Sequence, residues 1–282
     1  MIQRLGIAQK TQETGIEPSP QIVGKTGDVI ANAADLERIP SVEVQLEPLS
    51  RIVYHTDPRG IAADRFRFLR MRMREISNAS KLKTILVTSA LSLDGKSTVS
   101  LNLATALSEQ GQTDVLLLEA DLYHPTLVER LGLTAGPGLA QCLAGGLDPF
   151  SVIRRLSPLG WYFLPAGNQV EDPNELLHGD EFATILRTVS PCFKWVVIDS
   201  PPIVPIADSL ALARHADASL LVVRAGRTPS EAVTAALNSL GPKHVLGVVL
   251  NGVEGLERLY SKYNKYYGAA ASPYGPPRKA GE

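Results

Sequence analysis

Five short runs of Val, Ile and Leu through the middle of the chain leave few choices for its fold. They cover 84–88, 115–118, 195–198, 220–223 and 245–250. Each has the length of a strand and is apolar throughout, the mark of a strand covered on both faces of a parallel sheet. Segments of helical period separate them, at 97–109, 181–189, 207–214 and 230–240. This alternation predicts an α/β, doubly wound, mostly parallel sheet flanked by helices. In such sheets ligands bind beyond the carboxyl ends of the strands.

The first run leads into Ser89-Ala90-Leu91-Ser92-Leu93-Asp94-Gly95-Lys96-Ser97-Thr98 and then a helix. Gly-Lys-Ser-Thr between a buried strand and a helix is the end of a phosphate-binding loop. Backbone N–H groups of Asp94, Gly95, Lys96, Ser97 and Thr98 would point at phosphate oxygens. Lys96 would reach the β- and γ-phosphates of ATP, and the Ser97 hydroxyl would ligate Mg²⁺. Ala90 occupies the position where the full pattern has glycine.

Acidic residues close the next two strands: Glu119 and Asp121 after 115–118, and Asp199 after 195–198. A carboxylate at the end of a buried strand is costly unless a cation meets it. If both strands flank the first, Asp121 and Asp199 become metal ligands, and Glu119 or Asp121 the acceptor of a proton from an attacking hydroxyl. Capping of the following elements is the competing reading of Asp121 and Asp199.

These motifs resemble the three Walker-type motifs of the bacterial tyrosine kinases that accompany capsule and exopolysaccharide synthesis, P-loop proteins of the deviant-Walker type. They are the phosphate loop 89–98, Leu-Leu-Leu-Glu-Ala-Asp-Leu-Tyr-His-Pro at 116–125 and Trp-Val-Val-Ile-Asp-Ser-Pro-Pro at 195–202. The resemblance covers roughly 54–267. It implies a Mg-ATP-dependent tyrosine autokinase with Lys96, Glu119, Asp121 and Asp199 catalytic, the acid at 119 activating the tyrosine hydroxyl, and Asn251 near the adenine. It also implies a ring-like homo-oligomer, a membrane-embedded polysaccharide co-polymerase that activates the kinase, and a cognate tyrosine phosphatase. Three departures stand out: Glu119 where the family has Asp, Tyr123 where an arginine follows, and Leu93 where glycine is usual. They leave open a nucleotide-binding pseudokinase, or a regulatory ATPase of the same superfamily.

Two further segments fit this resemblance. The stretch 64–75 is a basic amphipathic helix with Phe66 and residues 69–73 available for packing. Its Asp64, Arg67 and Arg70 resemble the family's oligomerisation motif, whereas a solvated basic face is the plainer reading. Five of the eight tyrosines, Tyr260, Tyr263, Tyr266, Tyr267 and Tyr274, cluster near the C-terminus among Arg258, Lys262, Lys265 and Lys279. They resemble the tyrosines that family members phosphorylate on themselves, and each phosphate would add roughly −1.5 to −2 charge. Packing of the rings on the domain is the alternative.

Residues 1–48 lack Phe, Tyr and Trp and are expected to be disordered, apart from a short edge strand suggested by the alternation in 42–46. A kinase domain is expected over 49–267 and a flexible Gly/Ala/Ser/Pro tail over 268–282. The formal net charge is −1, which offers no footing for nucleic acid. No stretch approaches the roughly 18 apolar residues of a membrane span. Two cysteines about fifty positions apart form neither a metal pair nor a disulfide framework. A cytoplasmic protein recruited to the membrane's inner face by a partner is the expectation.

Overall fold

A computed structural model describes residues 33–46, 50–204 and 208–255. Eight strands form one sheet: β1 (Ser41–Glu43), β2 (Thr84–Ser89), β3 (Val115–Glu119), β4 (Arg154–Ser157), β5 (Trp161–Leu164), β6 (Trp195–Asp199), β7 (Ala218–Arg224) and β8 (Val245–Asn251). Their spatial order is β1-β4-β5-β3-β6-β2-β7-β8. All neighbours are parallel except β4 and β5. The doubly wound α/β sheet is therefore as the alternation predicts, with an antiparallel flap of β4 and β1 added at one side.

Continuous apolar strands are needed here because both faces are covered. Leu86, Leu116, Leu118, Val196, Ile198 and Leu221 enter one core layer, beneath α8 (Asp180–Val189), α9 (Asp208–Ala213) and α10 (Ser230–Leu240). Ile85, Val87, Leu117, Val197 and Val222 alternate into the other, beneath α3 (Lys96–Ser108). Buried along almost its whole length, α3 lies between the sheet and α2 (Ile61–Ser80). The short α1 (Val53–Thr56), α4 (Leu127–Arg130), α5 (Leu139–Leu143), α6 (Pro149–Val152) and α7 (Pro173–His178) fill the connections.

Order begins earlier than composition suggests. Leu36, Ile39 and Val44 are buried, and β1 pairs with β4 at the sheet edge. A few well-spaced apolar side chains suffice to fix 33–46 inside the stretch expected to be disordered. The strand itself stops at Glu43, before the alternation does.

The basic helix forms as α2, but its apolar residues divide. Ala63 and Met73 are buried and Phe66, Leu69 and Ile76 pack partly, following the helical period, whereas Phe68 and Met71 are exposed. Among the described residues no helix is long and apolar enough to cross a membrane.

Candidate active site

The site forms where β2 delivers the chain into α3. Ala90 is fully buried and is not in the left-handed region, so a methyl group fits where the full pattern has glycine. Gly95 takes φ 99° as the N-cap of α3, a conformation that favours glycine. A Cβ there would collide with the Asn251 amide. Leu93 also adopts a positive φ, 68°, which explains why glycine suits this position better. Its side chain is 91% exposed and gains nothing from packing.

The strands after β2 hold the loop in shape. Asp94 is buried; its carboxylate accepts from the Leu91 N–H at 3.0 Å and the Thr228 hydroxyl at 2.7 Å. The Asn251 amide donates to the Asp94 carbonyl at 2.9 Å. The Asp94 side chain and Asn251 therefore brace the loop from the ends of β7 and β8. Asn251, which the resemblance put near the adenine, has its amide against the loop backbone.

Only one acidic strand lies directly beside β2. β6 pairs with β2, and β3 lies one strand further out, paired with β6. The turn after β3 closes the gap: the Lys96 ammonium lies 2.7 Å from Asp121 Oδ2. Asp199 is buried at the end of β6 and accepts from the Ser100 hydroxyl at 2.9 Å, with Ser97 donating to it as well. Burial pushes the Asp199 carboxyl up, against Lys96 and the hydroxyls of Ser97 and Ser100. Burial alone would depress the Lys96 ammonium, but Asp199 and Asp121 outweigh it and hold it above its usual value. Lys96, Ser97, Asp121 and Asp199 thus converge.

Glu119 does not join them at the surface of the site. It is fully buried; Oε1 accepts from the N–H groups of Thr126 and Leu127, both at 2.7 Å, and Oε2 from that of Ala166 at 3.3 Å. Burial raises its carboxyl to about 7 against those three hydrogen bonds. The extra methylene of Glu over Asp spans from the β3 end to the start of α4, so the acid fastens two connections instead of reaching outward.

Sequence reasoning passed over several neighbours. Ser100 stands one turn beyond Lys96 on α3, and its hydroxyl meets both Asp199 and the Lys96 carbonyl. Arg130 of α4 donates to the Thr98 hydroxyl at 2.9 Å. Asp208, fully buried at the start of α9, accepts from the Asn174 amide at 2.6 Å and lies 3.0 Å from His178 Nε2. Burial and a hydrogen bond to Asp208 raise the Tyr123 phenol to about 12. Helical spacing from Lys96 was the available clue to Ser100; for Asp208 there was only an acid opening an apolar helix.

The three α2 residues are engaged within the chain. Arg67 pairs with Asp64 at 2.6 Å, and its guanidinium lies 5.3 Å from the Tyr54 ring centroid. Arg70 turns toward Glu109 at the end of α3, at 3.8 Å, and Arg74 also pairs with Glu109. Asp64 and Arg67 stay exposed at 59% and 40% of their side-chain surface, against 28% for Arg70. The tyrosines at 260–274 lie outside the described residues.

Oxygen donors from Ser97, Asp121 and Asp199 suit Mg²⁺. Among the described residues no three His, Cys, Asp or Glu side chains form a metal site by themselves. Mg²⁺ is usually held by one or two carboxylates together with substrate phosphates. The left-handed Gly95 stands at the mouth of a 13-residue helix, a place where backbone N–H groups can meet an anion.

No family model matches the chain. It is 33% identical over 235 residues to the succinoglycan biosynthesis transport protein ExoP of Rhizobium meliloti, covering 78% of this chain and 30% of ExoP. It is 28% identical over 217 residues to the tyrosine-protein kinase YwqD of Bacillus subtilis, covering 76% of this chain and 89% of YwqD. The chain thus spans under a third of one relative and most of the other. Among solved structures, the BceF tyrosine kinase domain superposes with a TM-score of 0.66 at 26% identity, over 80% of this chain and 100% of that one. The septum site-determining protein MinD of Pyrococcus horikoshii, complexed with Mg-ADP, shares the fold alone, with a TM-score of 0.51 at 22% identity over 60% and 70% of the chains.

Proposed function

The chain belongs to the bacterial tyrosine-kinase family, and on that premise we propose that it binds Mg-ATP and transfers the terminal phosphoryl group to tyrosines of its own C-terminal segment. The convergence of the Lys96 ammonium with Asp121 and Asp199 beside the Gly95 turn carries this reading. Mg-ATP would supply an activated phosphoryl group with its leaving oxygen already neutralised in part.

The chain's own residues divide the work. Backbone N–H groups of residues 94–98 bind phosphate oxygens, and Lys96 leaves Asp121 to follow the charge on the terminal phosphate. Ser97 and Asp199 hold the metal side, with Ser100 orienting Asp199. Asp121, freed of Lys96, takes the proton from the attacking tyrosine hydroxyl. Glu119 positions this turn through the Thr126, Leu127 and Ala166 amides rather than touching substrate. Asp64 and Arg67 contribute to contact between copies. A role in polysaccharide synthesis is supported by the name of one relative, a succinoglycan biosynthesis transport protein; a membrane-embedded co-polymerase and an opposing phosphatase follow only from the resemblance of the motifs.

The intact mass after incubation with Mg-ATP tests the transfer. Additions of phosphate on tyrosine, absent in Lys96→Met, are expected. A second reading is favoured by the locked carboxylate of Glu119 and the strained Leu93: a nucleotide-binding regulator without transfer. Bound nucleotide with unchanged mass would select it. Release of free phosphate without modified tyrosine would instead select an ATPase.

A further inference from the structure

A cation stands beside the phosphate loop without an acid to neutralise it. Arg130 is the last residue of α4, and its guanidinium donates to the Thr98 hydroxyl at 2.9 Å. Both residues are partly buried, so the contact stays within reach of a ligand. Among the described residues the Arg130 guanidinium forms no ion pair with a carboxylate. It carries five N–H donors, of which Thr98 takes one. Burial lowers the guanidinium from its ordinary value; Asp199 opposes this and Arg51 reinforces it. A positive charge in that setting gains from an added anion.

Arg130 is held there from two sides. Glu119 accepts from the N–H groups of Thr126 and Leu127, both at 2.7 Å, where α4 begins. The Arg130 N–H bonds back to the Thr126 carbonyl. The helix is thus one turn, fastened at its start by Glu119 and at its end by Thr98. On the loop side Asn102, fully buried, donates to the carbonyls of Thr98 and Arg51 at 2.8 and 2.9 Å. Arg51 is thereby kept close to the first turn of α3, where its charge adds to that of Arg130. At position 123, where the resemblance calls for arginine, Tyr123 is hydrogen-bonded to Asp208 instead. The arginine that reaches the loop comes from α4.

We infer that Arg130 is a nucleotide-binding residue, giving its guanidinium to the α-phosphate of ATP at the Thr98 end of the loop. In a loop of this kind the backbone cradles the α- and β-phosphates and the lysine serves the β- and γ-phosphates. Thr98 lies beyond Lys96 along α3, so a cation on its hydroxyl is left the α-phosphate. A planar, permanently charged fork can grip phosphate oxygens with two N–H groups and keep Thr98 with another. The longer acid at 119 acquires a purpose in this arrangement, because it reaches the amides that open α4. The inference rests on reading 94–98 as a phosphate loop, but not on phosphoryl transfer.

Calorimetric titration of the full-length chain with ATP and with ADP, each in Mg²⁺, tests it as binding. Arg130→Gln is expected to weaken both nucleotides about tenfold or more, and by the same factor, because both carry the α-phosphate. Arg130→Lys keeps the charge without the fork and should fall between Arg130→Gln and the wild type. Arg130→Gln should also keep a cooperative melting transition without nucleotide. If it does not, Arg130→Lys decides against the wild type alone, and unaltered affinity there overturns the inference. Wild-type affinity in a folded Arg130→Gln overturns it, and a loss confined to ATP overturns the assignment to the α-phosphate. Arg130→Lys no better than a folded Arg130→Gln would mark a purely structural part for the side chain and overturns it as well. A wild-type chain that binds neither nucleotide overturns the loop reading itself, and the inference falls with it.

Discussion

Two residues in the candidate site hold positions that other residues would fill at lower cost. Leu93 sits at φ 68° with 91% of its surface in water. A left-handed conformation costs a non-glycine residue roughly 1–2 kcal/mol, and glycine would recover that less its own entropic penalty of about 0.5–1 kcal/mol. Leu93→Gly should therefore raise stability by about 0.5–1 kcal/mol in urea unfolding. Glu119 has the opposite character: its carboxyl is raised to about 7 from the ordinary 4.5. The folded chain thus binds this proton more tightly than the unfolded chain does. Its contribution is fully present below about pH 4.5 and is lost as pH rises to about 7. The stability gap between wild type and Glu119→Gln should move against the wild type across that window, by denaturant titration at several pH values. A gap independent of pH would refute the assignment. Both positions stood out as departures from the motifs, but the left-handed backbone at Leu93 and the inward turn of the Glu119 carboxylate were not readable, because they depend on packing that a motif does not encode.

At the scale of elements, burial on two sides made β2, β3, β6 and β7 legible, while β8 reads the same way although it is an edge strand with Val248 and Leu250 exposed. Thr84–Ser89 and Trp195–Asp199 are buried at every position, and their unbroken apolar character has no other economical explanation. β4 escaped notice because it carries two arginines and pairs antiparallel at the sheet's flank; β5 was missed because Trp161–Leu164 is mostly aromatic and lacks a Val/Ile/Leu run. Strand order was also out of reach, since neighbours in a parallel sheet are set by crossovers. That is why β3 was expected beside β2, when β6 lies between them. In α2, helical spacing identified an apolar set but not which members face inward. Met73 is 1% exposed and Phe68 55%. Met73→Ala should cost about 2–5 kcal/mol, whereas Phe68→Ala should stay within about 0.5 kcal/mol. Paired urea titrations compare them directly.

At the scale of the whole molecule, the arginines of α2 separate the proposed contact between copies from folding. Arg67 remains 40% exposed, while Arg70 and Arg74 turn to Glu109 on α3. Arg67→Ala should lower the assembled mass in sedimentation and leave the melting temperature nearly unchanged; Arg70→Ala should lower both. Equal effects would mean that α2 acts only within its own chain. The strand order has a separate geometric consequence. β1 and β8 are the outermost members of an eight-stranded sheet, and adjacent strands are about 4.8 Å apart, so seven spacings put them roughly 34 Å from each other. A tether fastened ahead of β1 would grip the molecule at one rim, with the stretch beyond β8 starting from the opposite rim. Whatever holds the chain ahead of β1 therefore leaves the β8 rim uncovered.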